Sequence, residues 1–145
     1  MVKSIFLLNL ASTFFMVGLI WFVQVVHYPL FGQVGRDLFP GYELAHSQLT
    51  SLVVIPPMLL ELMTTGLLLI VRPSGMSLRE AWLGVLLLVI VWGSTFFLQV
   101  PRHGELAGGY DQTAHAALVT TNWIRTVAWS LRGGLLIRVA AGLIS

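Results

Sequence analysis

A four-transmembrane-helix bundle, all-α and with both termini cytoplasmic, is the fold class that three observations predict. Of 145 residues, 57% are hydrophobic and only 10% are charged, against about 25% charged in an ordinary soluble domain. The apolar stretches do not alternate with polar residues and run for about twenty residues, the length that crosses ~30 Å of hydrocarbon as a helix. There are four such stretches and nothing soluble is left over, so residues 1–145 read as a single transmembrane domain.

The first stretch, Ile5 to Val26, follows Lys3. It is too long for the apolar core of a signal peptide and lacks a small-x-small cleavage site before Tyr28, which predicts a retained span. A connection from Tyr28 to Gln48 is expected from Pro29, Gly32, Gly35, Pro40 and Gly41. The second span, Leu49 to Val71, contains Pro56-Pro57, which removes amide donors and can kink the helix to widen the mouth of the bundle. A tight turn at Arg72-Pro73-Ser74-Gly75 leads to the third span, Ala81 to Val100. Pro101 to His115, with Gly104, Gly108 and Gly109, then connects to the fourth, Ala116 to Ile137.

Orientation follows from the basic residues, which are retained on the cytoplasmic side of short loops. Lys3, Arg72, Arg79 and Arg138 fall on the side of the termini, with Arg132 able to snorkel there, and only Arg36 and Arg102 fall opposite. The opposite, outer face carries Asp37, Glu43, Glu105 and Asp111. A net charge of +2 from dispersed basic residues argues against nucleic acid as a partner, and the lipid bilayer is the partner expected. The absence of cysteine excludes disulfides, thiolate metal ligands and thiol redox chemistry.

Alternating topology puts His27, His46, His103 and His115, all the histidines of the chain, on the outer side. Counted at 1.5 Å per residue, Glu61 lies roughly 18 Å below Leu49 and Arg125 roughly 16 Å below Ala114, so the two opposite charges are expected at similar depth. Facing lipid would cost each at least ~2.5 kcal/mol, so both should turn inward and pair or line a wet cavity. His115, Leu118, Asn122, Arg125, Trp129 and Arg132 follow one another at helical spacing, as do His46, Thr50, Val53, Pro57, Glu61 and Thr64. Gln24 shares a face with His27, and Thr95 and Gln99 share one with His103 if helix continues past Pro101. The assembly expected is a bundle with a polar cleft open to the outer side, floored by Glu61 and Arg125 and rimmed by imidazoles.

That constellation suggests chemistry. His27, His46, His103 and His115, with Glu43, Glu61 or Asp111 in reserve, form a nitrogen and oxygen set for zinc, iron or copper. Haem is the weaker option because no two histidines share a span, and cofactor-free chemistry is the alternative to both. Glu61 would act as base, Arg125 and Asn122 would hold a developing oxyanion, and Gln24 and Gln99 would orient substrate. The plainer reading makes Glu61 and Arg125 a structural ion pair. Trp82 fits an interfacial belt, while Trp21, Trp92 and Trp129 either wall a slot for a flat molecule or simply pack. Gly66, Gly84 and Gly93 read as helix contacts.

The stretch from Phe97 to Leu106, with Pro101, His103 and Leu106, and the pair Asn122 and Arg125 resemble the small four-span membrane proteins grouped with the anthrone oxygenases. Pro29 after the first span matches a proline common in that family. His103 stands where relatives commonly carry Asn, and His27 and His46 lie outside the pattern. The resemblance implies oxygenation of an activated aromatic carbon by dioxygen. The function expected is therefore a membrane-embedded oxidoreductase, oxygenase-like, acting on a hydrophobic aromatic or quinone-like molecule. A proton, metal-ion or solute transporter is the alternative from another class; a chain this small would form a homo-oligomer for most transport paths, and the cytoplasmic halves of the first and third spans read as nearly all apolar. A structural subunit of a membrane complex is the third.

Overall fold

The structure, a computed structural model, describes residues 1–144. Among these it contains four long helices and no strand: α1 (Val2–Gln33), α2 (Phe39–Ile70), α3 (Leu78–Ala107) and α4 (Gln112–Ile144). The first three are long and apolar enough to cross a membrane. The fourth is as long but less apolar, because Asn122, Arg125, Thr126 and Arg132 interrupt it. Each helix packs on its two neighbours in sequence around a square, with α4 closing back onto α1, so α1 faces α3 and α2 faces α4 across the diagonals.

The helices begin and end outside the expected apolar stretches, and the connections shrink accordingly. Only residues 34–38, 71–77 and 108–111 lie between them, short links that force antiparallel neighbours. Local chemistry fixes the starts. Ser77 and Glu80 form a reciprocal capping box at the start of α3, each satisfying an amide the helix leaves open. Asp111 accepts from the Ala114 amide at 2.7 Å to cap α4, after Gly109 has reversed the chain at φ 141°, a conformation that favours glycine.

The helices continue through Pro29 and Pro101 by the same device. A wide, π-helical turn covers Val23–His27 in α1 and Thr95–Gln99 in α3, and each ends two residues before the proline. Proline brings no amide hydrogen and crowds the carbonyl four residues back, here Val25 and Phe97. A wide turn absorbs both defects by adding one residue to the turn. In α2 the helix runs unbroken through Pro56-Pro57.

The bundle is apolar outside and mixed inside. Leu52, Met63, Leu86, Val89, Phe97 and Ile137 are all exposed, the pattern of a surface bathed in lipid rather than water. One apolar cluster, including Met16, Phe31, Phe39, Leu118 and Trp129, fills the half nearer the 34–38 and 108–111 links. A smaller one around Phe6, Leu68, Leu136 and Val139 fills the half holding the termini. Between and within them lie the polar layers.

Candidate functional site

The four histidines do gather at one end of the bundle, around the fully buried ring of Phe31, which stacks on His115 and meets His27, His46 and His103 at steep angles. They do not form one ligand set. Glu43, His46 and His103 each offer a ligand atom, all within 4.8 Å of one another. His27 joins them through Nε2, 2.9 Å from His46 Nδ1. His115 stands apart as a correction to the four-histidine set: its Nε2 is 2.7 Å from the Tyr28 carbonyl oxygen and its Nδ1 is 3.0 Å from the Tyr110 hydroxyl. A histidine whose two nitrogens are spoken for by a carbonyl and a phenol braces two helices instead.

Glu43 is wholly buried. It lies on α2 one turn before His46, and both are buried within a helix that starts ten residues before Leu49, at Phe39. Its Oε1 is 2.5 Å from His103 Nδ1 and accepts from the Ser47 hydroxyl at 3.1 Å, while Oε2 has no hydrogen-bond partner among the described residues. A carboxylate only accepts, so Nδ1 of His103 carries the proton, and in the neutral imidazole Nε2 is left to accept from the Tyr28 hydroxyl at 2.9 Å. A cation replacing that proton would gain the open oxygen of Glu43 and the nitrogen of His46. Two histidines and a carboxylate are a donor set suited to zinc or iron, so the residues fit a metal.

Beneath the cluster lies a second polar layer, reached through Tyr28. Arg125 Nη2 donates to the Tyr28 hydroxyl at 3.4 Å and to Asn122 Oδ1 at 2.6 Å; Nε donates to the same oxygen at 2.9 Å. Asn122 is held in that orientation because its amide donates to Gln24 Oε1 at 2.9 Å, and Gln24 in turn donates to the Val119 carbonyl. Thr95 accepts from Arg125 Nη1 at 3.4 Å, and Gln99 donates to Thr121 at 2.9 Å. The structure therefore brings Asn122 and Arg125 together as the helical spacing suggests, and joins Gln24 to them from α1, with Gln99 a turn away. Two cavities are lined mainly by apolar residues and include no histidine.

The expected Glu61–Arg125 pair is overturned. Glu61 pairs with Arg132, Nε to Oε1 at 2.8 Å, while Thr13 donates to the same oxygen at 2.6 Å and Trp129 Nε1 donates to Oε2 at 2.9 Å. Arg132 does not snorkel: it is 2% exposed and also donates to Thr65 and to the Gly84 carbonyl. The depth count failed because Leu49 is not the start of its helix. With α2 beginning ten residues earlier at Phe39, Leu49 already sits about 15 Å along it, which lowers Glu61 past Arg125 to the level of Arg132. So enclosed, Glu61 has the environment of a structural clamp and not of a base open to substrate.

Asn9, Ser12 and Thr13 complete this lower layer and correct the reading of the inner half of α1 as apolar. All three are buried, and Asn9 donates to Thr64 at 2.8 Å and Thr65 at 2.9 Å. Their spacing on one face of α1 was the available signal. The tryptophans wall no common slot. Trp129 is buried on Glu61, Trp21 is 43% exposed with its Nε1 on Ser130, Trp92 packs on Phe96, and Trp82 faces outward as a belt residue would. Of the three glycines, only Gly84 lies close to a neighbouring helix.

No protein-family model, curated protein or solved structure matched this chain. What the fold and site define is a helical bundle of membrane character with an ionisable cluster at one end that could hold a metal.

Proposed function

We propose that the chain crosses the membrane four times, with both termini cytoplasmic, and acts as a metal-dependent oxidoreductase on a hydrophobic aromatic or quinone-like molecule drawn from the bilayer. The fourth span is supported by the way α4 divides its faces. Asn122, Arg125 and Arg132 are buried against the other helices, while Trp123, Ile124, Val127, Leu131 and Ile137 are exposed. Lys3, Arg72, Arg79 and Arg138 at one end, against Arg36 and Arg102 at the other, support the orientation.

The observation that carries the functional reading is the buried Glu43–His46–His103 cluster with the unpartnered Oε2 of Glu43. An intramembrane group of this kind is expensive unless it is used. Glu43, His46 and His103 would hold the ion, with His27 beside them. A zinc or iron ion in a set that leaves positions open supplies Lewis acidity or, for iron, dioxygen chemistry. The chain's own part is positioning. Tyr28 holds the far nitrogen of His103, Arg125, oriented by Asn122, would meet the oxygen of a substrate that carries negative charge, and Gln24 holds Asn122 in place. The apolar packing around Phe31 and Leu118 keeps water from the layer.

Elemental analysis of detergent-purified protein tests this. About one zinc or iron per chain is expected, falling severalfold in Glu43→Gln and His103→Ala and unchanged in His115→Ala. Oxygen uptake with anthrone or hydroquinone substrates should accompany metal occupancy. Protein that takes up no metal under any loading would overturn the reading.

A further inference from the structure

Arg125 is a buried cation with no carboxylate in ion-pair contact among the described residues. It is 7% exposed, and its partners are the amide oxygen of Asn122, the hydroxyls of Tyr28 and Thr95, each at 3.4 Å, and the ring of Trp129 at 6.0 Å from the guanidinium carbon. None is charged. The other guanidiniums near carboxylates are matched: Arg132 with Glu61, Arg138 with Glu80, Arg102 with Glu105. Glu43 is hydrogen-bonded to His103 and makes no ion pair with Arg125 among the described residues. Hydrogen bonds and a ring face lower the cost of a lone buried charge but do not remove it.

A second defect lies in the same layer. Gln99 is 1% exposed and its Oε1 has no partner among the described residues, because its amide nitrogen is spent on Thr121. Gln99 and Thr95 are the two ends of the wide turn of α3; across from them on α4, Thr121 and Arg125 are one turn apart. The wide turn of α1 brings Gln24 to the same network. Wide turns of this kind concentrate where a helix shapes a ligand site. The layer thus presents an unmatched cation beside an unmatched hydrogen-bond acceptor, both enclosed by apolar surface.

We infer that this layer binds the ionised carboxylate of an amphiphile, with Arg125 taking the carboxylate and Gln99 Oε1 accepting from a hydroxyl or amide N–H next to it, as in a long-chain 2-hydroxy acid or an N-acyl amino acid. The inference rests on the reading of this layer as the substrate side of the protein, but needs no metal. It differs from the stabilisation of a charge formed during reaction, because the ligand here arrives charged.

Binding is measured by titration of tryptophan fluorescence and by thermal shift, on the whole chain in neutral-lipid nanodiscs, with and without EDTA. The probes are 2-hydroxymyristate, myristate, methyl myristate and acetate. Myristate should bind at least about tenfold more tightly than its methyl ester, the effect of about 1.4 kcal/mol, and the 2-hydroxyl should add about threefold to fivefold, as one added hydrogen bond does. Arg125→Gln should abolish the preference for acid over ester and Arg125→Lys should keep part of it. Gln99→Leu should erase the hydroxyl increment alone. The acid and ester comparison on the unaltered chain stands even if Arg125→Gln fails to fold. Equal binding of acid and ester overturns the proposal, and so does acetate competing at the same concentration as myristate, which would assign the layer to a small free anion. An acid preference that persists in the EDTA arm shows that this binding needs no metal, so failure of the protein to take up metal under any loading would overturn the metal reading and leave this one standing.

Discussion

Glu61 receives donors from Thr13, Trp129 and Arg132, and Arg132 reaches on to Thr65 and Gly84, so one buried carboxylate and one guanidinium engage all four helices. Removing one member of such a pair leaves the other charged and unpaired inside the bundle. Glu61→Gln and Arg132→Met are each expected to lose roughly 3–5 kcal/mol of stability, read by thermal or denaturant unfolding in detergent. Thr13→Ala, which deletes one hydrogen bond to a charged group, should lose roughly 1.5–3 kcal/mol. Tyr28 acts through His103. Tyr28→Phe should weaken metal affinity about 10–100-fold, as losing the partner of a ligating histidine does, and leave the unfolding transition within about 1.5 kcal/mol. At this scale the sequence was legible as a list of unusual residues and not as a set of pairs. Arg125 and Asn122 were grouped correctly because helical spacing alone relates them, whereas Gln24 reaches them from another helix and spacing tied it only to His27. Glu61 was matched to the wrong arginine because depth depends on where a helix starts, and polar residues such as Glu43 and His46 hid ten residues of α2.

The two wide turns set the azimuth of everything beyond them. One residue rotates a helix by about 100°, so the added residue in Val23–His27 decides whether Tyr28 faces His103, and the one in Thr95–Gln99 decides whether His103 faces Glu43. Deleting Val25, or Phe97, should convert the turn to ordinary helix. Far-ultraviolet circular dichroism would then change little while metal binding falls at least tenfold. Retained binding after either deletion would show that the turn is incidental to the site. Nothing in composition separates a wide turn from an ordinary one; the prolines two residues beyond were the trace it left, and in isolation they read as the ends of spans.

Across the whole molecule, the alternation of four helices places the links 34–38 and 108–111 at one end and the termini with 71–77 at the other. Reporter fusions or cysteine labelling at the two termini should therefore report the same side of the membrane. Termini on opposite sides would mean that α4 does not cross. The all-helical bundle with long apolar helices was readable because length and apolar content are summed over twenty residues and survive errors at the ends. Which polar groups pair within the interior was not, because that is settled by side-chain reach.

The clamp has a consequence for how the chain is made. Glu61 is synthesised 71 residues before Arg132, which at roughly 5–20 residues per second is a delay of roughly 4–14 s. During that interval the carboxylate has no Arg132 to meet it. Asn9 and Thr13, already emerged, are the groups able to receive its helix, through Thr64, Thr65 and the Glu61 side chain itself. The first two helices are thus equipped to wait as a hairpin, and a ribosome stalled short of Arg132 would leave that hairpin, with its acid unneutralised, for membrane quality control to find.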